Sequence, residues 1–135
     1  LEDINDELAV VVALDDLADA VAGGEHAMVG RALVRLHLDG VHPVGALRAV
    51  ERHFQRLHQV AASPDAESAL TRLRPPLFFK RKAAFMAQLR CWPAQTLAAA
   101  LDLLLQAEID CKTTGLPATT ICGQVLTRLT AAANR

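Results

Sequence analysis

The stretch from residue 43 to residue 62, PVGALRAVERHFQRLHQVAA, decides the fold class. Its apolar residues recur at steps of three and four, which is the spacing of one face of an α-helix. This apolar stripe comprises Val44, Leu47, Val50, Phe54 and Leu57. A polar stripe with a spacing of four residues accompanies it and comprises Arg48, Arg52 and Arg56. Pro43 suits the first position of a helix. The stretch therefore predicts a long amphipathic helix.

The same periodicity continues on both sides of this helix, interrupted by glycine and proline. It predicts further helices over residues 14–22, 26–38, 66–73, 79–90 and 93–113, and a last one from residue 117 onward. Residues 1–13 are expected to form a short helix or a lead-in from a preceding domain. Residues 14–135 are then one domain. We expect an all-α, compact bundle of six to seven helices.

Local patterns add expectations about individual side chains. In the first predicted helix, Asp15, Asp16 and Asp19 are expected to face water. In the helix over 93–113, the residues expected to pack include Leu101, Leu105 and Ile109. Gly123 lies inside the last helix, where it costs about 1 kcal/mol relative to Ala. A close helix–helix contact at Gly123 would explain that cost.

Composition supports a single helical domain. The chain has 135 residues, of which 52% are hydrophobic and 21% are charged. A chain of this length can bury a core without disulfides or metal ions. Aromatic residues make up 4% and Tyr is absent. This argues against a β-sandwich or barrel, because sheets are enriched in aromatic and β-branched residues.

Charge is distributed unevenly although the net formal charge is only −1. Residues 1–25 carry eight acids and no Lys or Arg, whereas residues 72–101 carry six bases and no acid. One interpretation is a pair of opposed surfaces, one of which meets a charged partner. The other interpretation is that both regions are solvated or pair with each other. The sequence leaves both open.

Cysteine usage indicates the compartment. Cys91, Cys111 and Cys122 form an odd set without a disulfide pattern, which predicts reduced thiols in the cytoplasm. They lie on or beside apolar stripes and are expected to be small buried hydrophobes. No signal peptide and no membrane-spanning run is recognisable. Because the sequence begins with Leu1, we expect a piece of a longer protein.

Motifs for catalysis or cofactor binding are not found. Neither serine lies in G-x-S-x-G, and no C-x-x-C occurs. His53 and His58 are five residues apart, which is not the spacing of a helical zinc motif, and the histidines are expected to be at the surface or partly buried. The glycines of residues 23–31 do not have the spacing of a phosphate-binding loop. We therefore predict no catalytic residue, no cofactor and no metal ligand, and rank an enzyme with a cryptic site last.

The segment RPPLFFKRK at residues 74–82 is the most distinctive feature. Its bases and a later one could contact DNA phosphates or an acidic partner, and these residues are Lys80, Arg81, Lys82 and Arg90. Alternatively the bases are merely solvated. For Phe78 and Phe79 we favour anchoring in the core. Phe85 and Trp92 fall on or near one helical face and are expected to be structural anchors too.

This segment, together with what surrounds it, resembles a known family. Residues 74–82, 89–92 (LRCW) and 97–115 resemble the C-terminal collar domain of the delta subunit of the bacterial DNA polymerase III clamp loader. Residues 14–21 and 33–58 resemble the preceding helices of that domain. The similarity covers nearly the whole chain from about Leu14.

The resemblance implies a helical collar that packs against the collars of the other loader subunits in DNA replication. It implies that the ATPase subunits and delta-prime are partners, with primed DNA possible within the complex and no membrane. The delta subunit does not hydrolyse ATP, although the parent holoenzyme is a DNA-directed DNA polymerase. It opens the sliding clamp through an N-terminal domain that this chain does not contain.

Two positions depart from the family pattern. His42 precedes Pro43 where the family tends to place a small polar capping residue, and Pro93 follows Trp92 in place of a small polar residue. Neither change threatens a helical fold. The resemblance assigns no specific interface residues, because collar contacts are spread over helix faces. Direct DNA binding through residues 72–90 remains the alternative function.

Overall fold

A computed structural model describes the backbone of residues 2–134 and the side chains of residues 7–134. The described residues form seven α-helices and no strand, which confirms the all-α bundle. The helices are α1 (Glu2–Ala22), α2 (His26–Leu38), α3 (Pro43–Ala61), α4 (Ala66–Thr71), α5 (Lys82–Cys91), α6 (Ala94–Lys112) and α7 (Ala118–Ala133). A single 3₁₀ turn, Phe79–Arg81, leads into α5.

Helix α3 lies at the centre and packs against each of the other six helices. Its apolar stripe is buried as predicted, and Leu47, Phe54 and Leu57 are fully inaccessible. The ring of Phe54 meets Trp92 edge-on at 5.0 Å between ring centroids. The indole nitrogen of Trp92 donates to the backbone oxygen of Ala22 at 2.9 Å, so the end of α1 is fixed to the core.

Helix caps and turns follow the local chemistry. His42 caps α3, because its Nδ1 accepts from the backbone N–H of Val44 at 3.1 Å. An imidazole thus replaces the small polar residue typical of that position. Gly24, between α1 and α2, has a φ of +73°, a conformation that favours glycine. The side-chain amide of Asn134 donates to Gly24 O at 2.9 Å and joins the end of α7 to this turn.

Helix α1 differs from the prediction. It runs without interruption from Glu2, so the expected start of a helix at Leu14 is wrong. The apolar run before Leu14 shows no clear helical stripe, because apolar residues occupy both the buried side and the exposed side of the helix. Ala13 and Leu17 are buried in the core, whereas Leu8, Val11 and Val12 are exposed.

Two packing expectations also fail. Leu105 and Ile109 of α6 are exposed, at 51% and 50%. The buried stripe of this helix instead passes through Leu104 and Ala107, and a step of one residue turns a side chain by about 100° around the helix. Gly123 has no close helix contact, because a Cβ placed there would meet nothing within 4 Å.

This open surrounding predicts that Gly123→Ala stabilises the fold. Alanine lowers the conformational entropy of the unfolded chain and costs nothing in packing, so the free energy of unfolding should rise by about 1 kcal/mol. Urea denaturation measures the change. Gly24→Ala is the matched control. It should destabilise by roughly 1–2 kcal/mol, because Gly24 has a positive φ and its added Cβ would lie 2.6 Å from Asn134 Oδ1. A loss of stability in Gly123→Ala would contradict the open surrounding.

Candidate interaction surfaces

The link between α4 and α5 carries the segment that the sequence singles out. Arg56 of α3 holds this link by donating from Nη1 to the backbone oxygen of Pro75 at 2.8 Å. Leu73, near the start of the link, is buried. The backbone of the segment is therefore held against α3.

Phe78 and Phe79 are not core anchors, so that prediction is wrong. Phe78 is 56% exposed and Phe79 is 73% exposed. Their rings pack against each other, edge to face, with 5.0 Å between centroids. The buried apolar residues in this part of the chain are instead Leu73, Phe85 and Trp92. The structure thus presents two neighbouring aromatic rings to solvent.

The three consecutive bases have different surroundings. Arg81 turns inward and makes a bidentate pair with Asp19, with 3.1 Å from Nε to Oδ2 and 3.1 Å from Nη2 to Oδ1. Asp15 Oδ1 lies 3.6 Å from Nη1 of Arg81. Burial by itself lowers the pKa of Arg81, but the hydrogen bonds and charge of Asp19 outweigh it and raise the pKa. Arg81 is therefore engaged within the chain.

Asp19 consequently does not face water as predicted. It is half-buried, and Gln88 of α5 also donates to it, with 3.1 Å between Nε2 and Oδ1. The acidic α1 and the basic segment thus meet through Asp19 and Arg81. Of the two interpretations of the uneven charge, pairing holds for this acid and this base.

Lys80, Lys82 and Arg90 remain exposed. None of the ion pairs among residues 7–134 includes them. These three side chains are free to meet a charged partner. Arg81, the fourth residue of that predicted set, is not.

A buried histidine completes the network beneath Arg81. His53 of α3 is 5% exposed, and its Nε2 lies 2.6 Å from Gln88 Oε1 and 3.5 Å from Asp19 Oδ1. Because the amide of Gln88 donates to Asp19, its oxygen is left to accept from Nε2–H of His53. Burial lowers the pKa of His53, although Gln88 and Asp19 act in the opposite direction. Burial therefore favours the neutral form of His53.

The expectation that the histidines are at the surface or partly buried is wrong for His53. Its spacing contains the signal: His53 lies three residues after Val50 and four before Leu57, both on the buried face of α3. The partners Asp19 and Gln88 lie 34 and 35 residues away in sequence, on other helices. Local periodicity carries no information about such pairings.

Two concave surfaces lie beside α1. The first is a groove of about 520 Å³ between α1 and α2, and we call it the α1–α2 groove. Its lining is mainly apolar, with charged groups at the edge, and comprises Leu8, Ala9, Val12, Ala13, Asp16, Met28, Arg31, Ala32 and Arg35. The second is a cleft of about 480 Å³ between α1, α3 and the link, and we call it the arginine cleft. Arg52, Arg56 and Arg81 all line it.

Groups with reactive or metal-binding chemistry are dispersed in the described part of the chain. No cluster of three or more His, Cys, Asp or Glu among these residues could hold a metal ion. Cys122 is buried, which raises its pKa to about 12. Cys91 is exposed, contrary to the expectation of a buried hydrophobe, and it is the last residue of α5. None of the described helices is long and apolar enough to cross a membrane.

Comparison with known proteins gives no relative. No family model matches the chain, and no curated protein or solved structure matches it.

The network predicts which bases the fold requires. Arg81→Glu should lower the free energy of unfolding by roughly 1–3 kcal/mol, because it places a carboxylate beside Asp19 and Asp15 and removes a half-buried ion pair. Chemical denaturation measures this. The double variant Lys80→Glu/Lys82→Glu changes the neighbouring exposed bases and should leave stability within about 0.5 kcal/mol of the parent. Equal stability of all three proteins would contradict the inward position of Arg81.

His53 predicts a pH dependence of stability. Its pKa in the folded chain is below the ordinary value of 6.5, so the unfolded chain takes up the proton first as pH falls. Stability from this group is therefore complete above pH 6.5. It declines as pH falls toward the folded pKa, by up to about 1.4 kcal/mol per pH unit. Urea denaturation between neutral and mildly acidic pH should show this slope.

The variant His53→Asn should flatten that slope, whereas His37→Gln, on the exposed side of α2, should retain it. Asp19 raises the pKa of His53, whereas Arg81 and Arg56 lower it, and these effects are the same in the parent and in the control. An identical slope in the parent and in His53→Asn would show that His53 is not held neutral.

Proposed function

We propose that this chain is a non-catalytic assembly domain, the collar of a clamp-loader delta subunit. In this role it packs against the ATPase subunits and delta-prime of its loader in DNA replication. The resemblance of residues 14–115 suggests the family. The helical bundle is compatible with a collar, and the observation that carries the proposal is the α1–α2 groove.

The groove has the features of a helix-docking surface. Leu8 and Val12 are one helical turn apart on α1 and are each 58% exposed, and Met28 of α2 faces them across the groove. Contiguous exposed apolar side chains on a small domain mark interaction sites. Fully burying a side chain of this kind is worth about 1.5–3 kcal/mol, so covering three partly exposed ones gives useful affinity. Exposed Arg31 and Arg35 supply charge at the edge.

Co-elution in size-exclusion chromatography tests the proposal. The chain is mixed with the ATPase and delta-prime subunits of its own clamp loader. We expect co-elution that is lost in the double variant Leu8→Ser/Val12→Ser, because the groove loses its apolar floor. Affinity should fall by at least about tenfold.

The matched control is Leu105→Ser/Ile109→Ser. These residues are also apolar, exposed and four apart, but they lie on α6. Co-elution should survive in this control. Loss of co-elution only in the α6 variant would contradict the groove as the interface. A folded chain that ignores all loader subunits would contradict the assembly role.

Direct DNA binding is the second candidate. The observation in its favour is the exposed pair Phe78 and Phe79 beside the unpaired bases Lys80 and Lys82. Aromatic rings stack on bases of single strands, while lysines contact phosphates. Binding of primed DNA that weakens steeply with salt, in a chain that ignores the loader subunits, would bring this function to first place.

A further inference from the structure

The arginine cleft has the dimensions of a small-molecule site. Its volume of about 480 Å³ lies within the usual range of ligand pockets. Helix α1 forms one wall, α3 the floor, and the link from Pro75 to Phe78 the other wall. The assembly role does not use this cleft, because its lining residues differ from those of the α1–α2 groove.

Three arginines and one carboxylate, that of Asp15, line the cleft, so positive charge exceeds negative charge there. Arg52 and Arg56 lie one turn apart on α3, where like charges repel. Neither takes part in an ion pair among residues 7–134. The hydrogen bond of Arg56 goes to a neutral carbonyl, that of Pro75. Arg81 also lines the cleft, but Asp19 and Asp15 neutralise it.

The surroundings of Arg56 disfavour its positive charge. Burial lowers its pKa, and the positive charge of Arg81 lowers it further, while Asp15 opposes both. An anion beside Arg56 would relieve the repulsion. Arg52 is exposed, lines the same cleft and lies one turn earlier on α3, so it can contact the same anion. Two guanidinium groups in this arrangement suit the several oxygens of a phosphate.

The other wall of the cleft is apolar and rigid. Pro75 and Pro76 have a fixed φ, and Phe78 presents an aromatic ring that is half open to solvent. Phe79 supports this ring from the side. Val11 and Leu14 face the prolines and Phe78 from α1. A planar aromatic group would therefore find a stacking partner in the same cleft as the arginines.

We propose that the arginine cleft binds a nucleoside phosphate, either free or within a single strand. Its phosphate contacts Arg52 and Arg56, and its base stacks on Phe78. The shared chemistry is an aromatic base joined to a phosphate. Neither half of the cleft by itself would give specificity, because inorganic phosphate uses only the arginines and a nucleoside uses only the apolar wall.

Isothermal titration calorimetry at low salt tests this with four probes: adenosine monophosphate, adenosine, inorganic phosphate and a short oligodeoxyadenylate. We expect adenosine monophosphate to bind at least about tenfold more tightly than adenosine or inorganic phosphate. Saturation by the free nucleotide identifies a free ligand as sufficient. Binding of the oligodeoxyadenylate alone identifies a strand as the source. Equal affinity for inorganic phosphate and adenosine monophosphate would overturn the proposal, as would binding of none of the four probes.

Paired variants separate the cleft from the neighbouring exposed surface. Arg52→Gln and Phe78→Ala change exposed cleft residues and should each weaken binding by about tenfold. Lys80→Gln and Leu105→Ala change exposed residues outside the cleft lining and should weaken it by less than about threefold. Thermal unfolding checks that all four variants fold. Binding that depends on Lys80 but not on Arg52 and Phe78 would overturn the proposal.

Co-elution with the loader subunits should be unchanged in Arg52→Gln. The experiments can therefore refute the assembly role and nucleotide binding independently of each other.

Discussion

Burial of one face of α3 is the constraint on which the other elements depend. This helix contacts all six of the others, and nine of its residues are buried. Removing their apolar area from water stabilises the bundle, because the hydrophobic free energy scales with the area buried. The polar face of α3 must then emerge between its neighbours. It does so at Arg48, which pairs with Glu108 of α6 at 2.7 Å, and at Arg52 and Arg56 in the cleft.

The pair of Asp19 and Arg81 is the second structural requirement, and it is polar. Two charges that leave water lose hydration, which an ion pair offsets only with good geometry and additional hydrogen bonds. Here the geometry is bidentate, and Gln88 donates a further hydrogen bond to Asp19. The network then continues to His53 in the core. We interpret it as the device that fixes the angle of the basic segment against α1, a role in which specificity counts for more than stability.

The fold was predictable from sequence to the extent that it depends on local periodicity. The stripe of Val44, Leu47 and Phe54 predicts α3 and its buried face, and proline and glycine predict most helix ends. The same reasoning fails where a side chain interacts with a residue that is distant in sequence. Asp19 has the local pattern of a solvated acid, and only Arg81, 62 residues away, explains its half-buried position.

The candidate surfaces were likewise predictable only where the local sequence decides whether a side chain is exposed. Exposed Lys80 and Lys82 are what a run of bases predicts, because charged side chains stay in water unless paired. Phe78 and Phe79 follow closely after two prolines, and hydrophobicity by itself predicts their burial. The core is filled by other apolar residues, among them Phe85 and Trp92, and the link runs outside it, held at Pro75 by Arg56. Which apolar side chains fill the core is a property of the whole packed chain, and a local pattern does not contain it.

Helix α1 separates the two concave surfaces and also couples them. Val11 and Val12 are adjacent in sequence, yet they line different sites, because successive side chains diverge by about 100° around a helix. A partner helix docked in the α1–α2 groove, as proposed, would therefore leave the arginine cleft open. Both proposed sites, however, require α1 to keep its orientation, to which the pair of Asp19 and Arg81 contributes. Changes at Leu8 or at Arg52 should then act on one proposed site each, whereas a change at the Asp19–Arg81 pair should act on both.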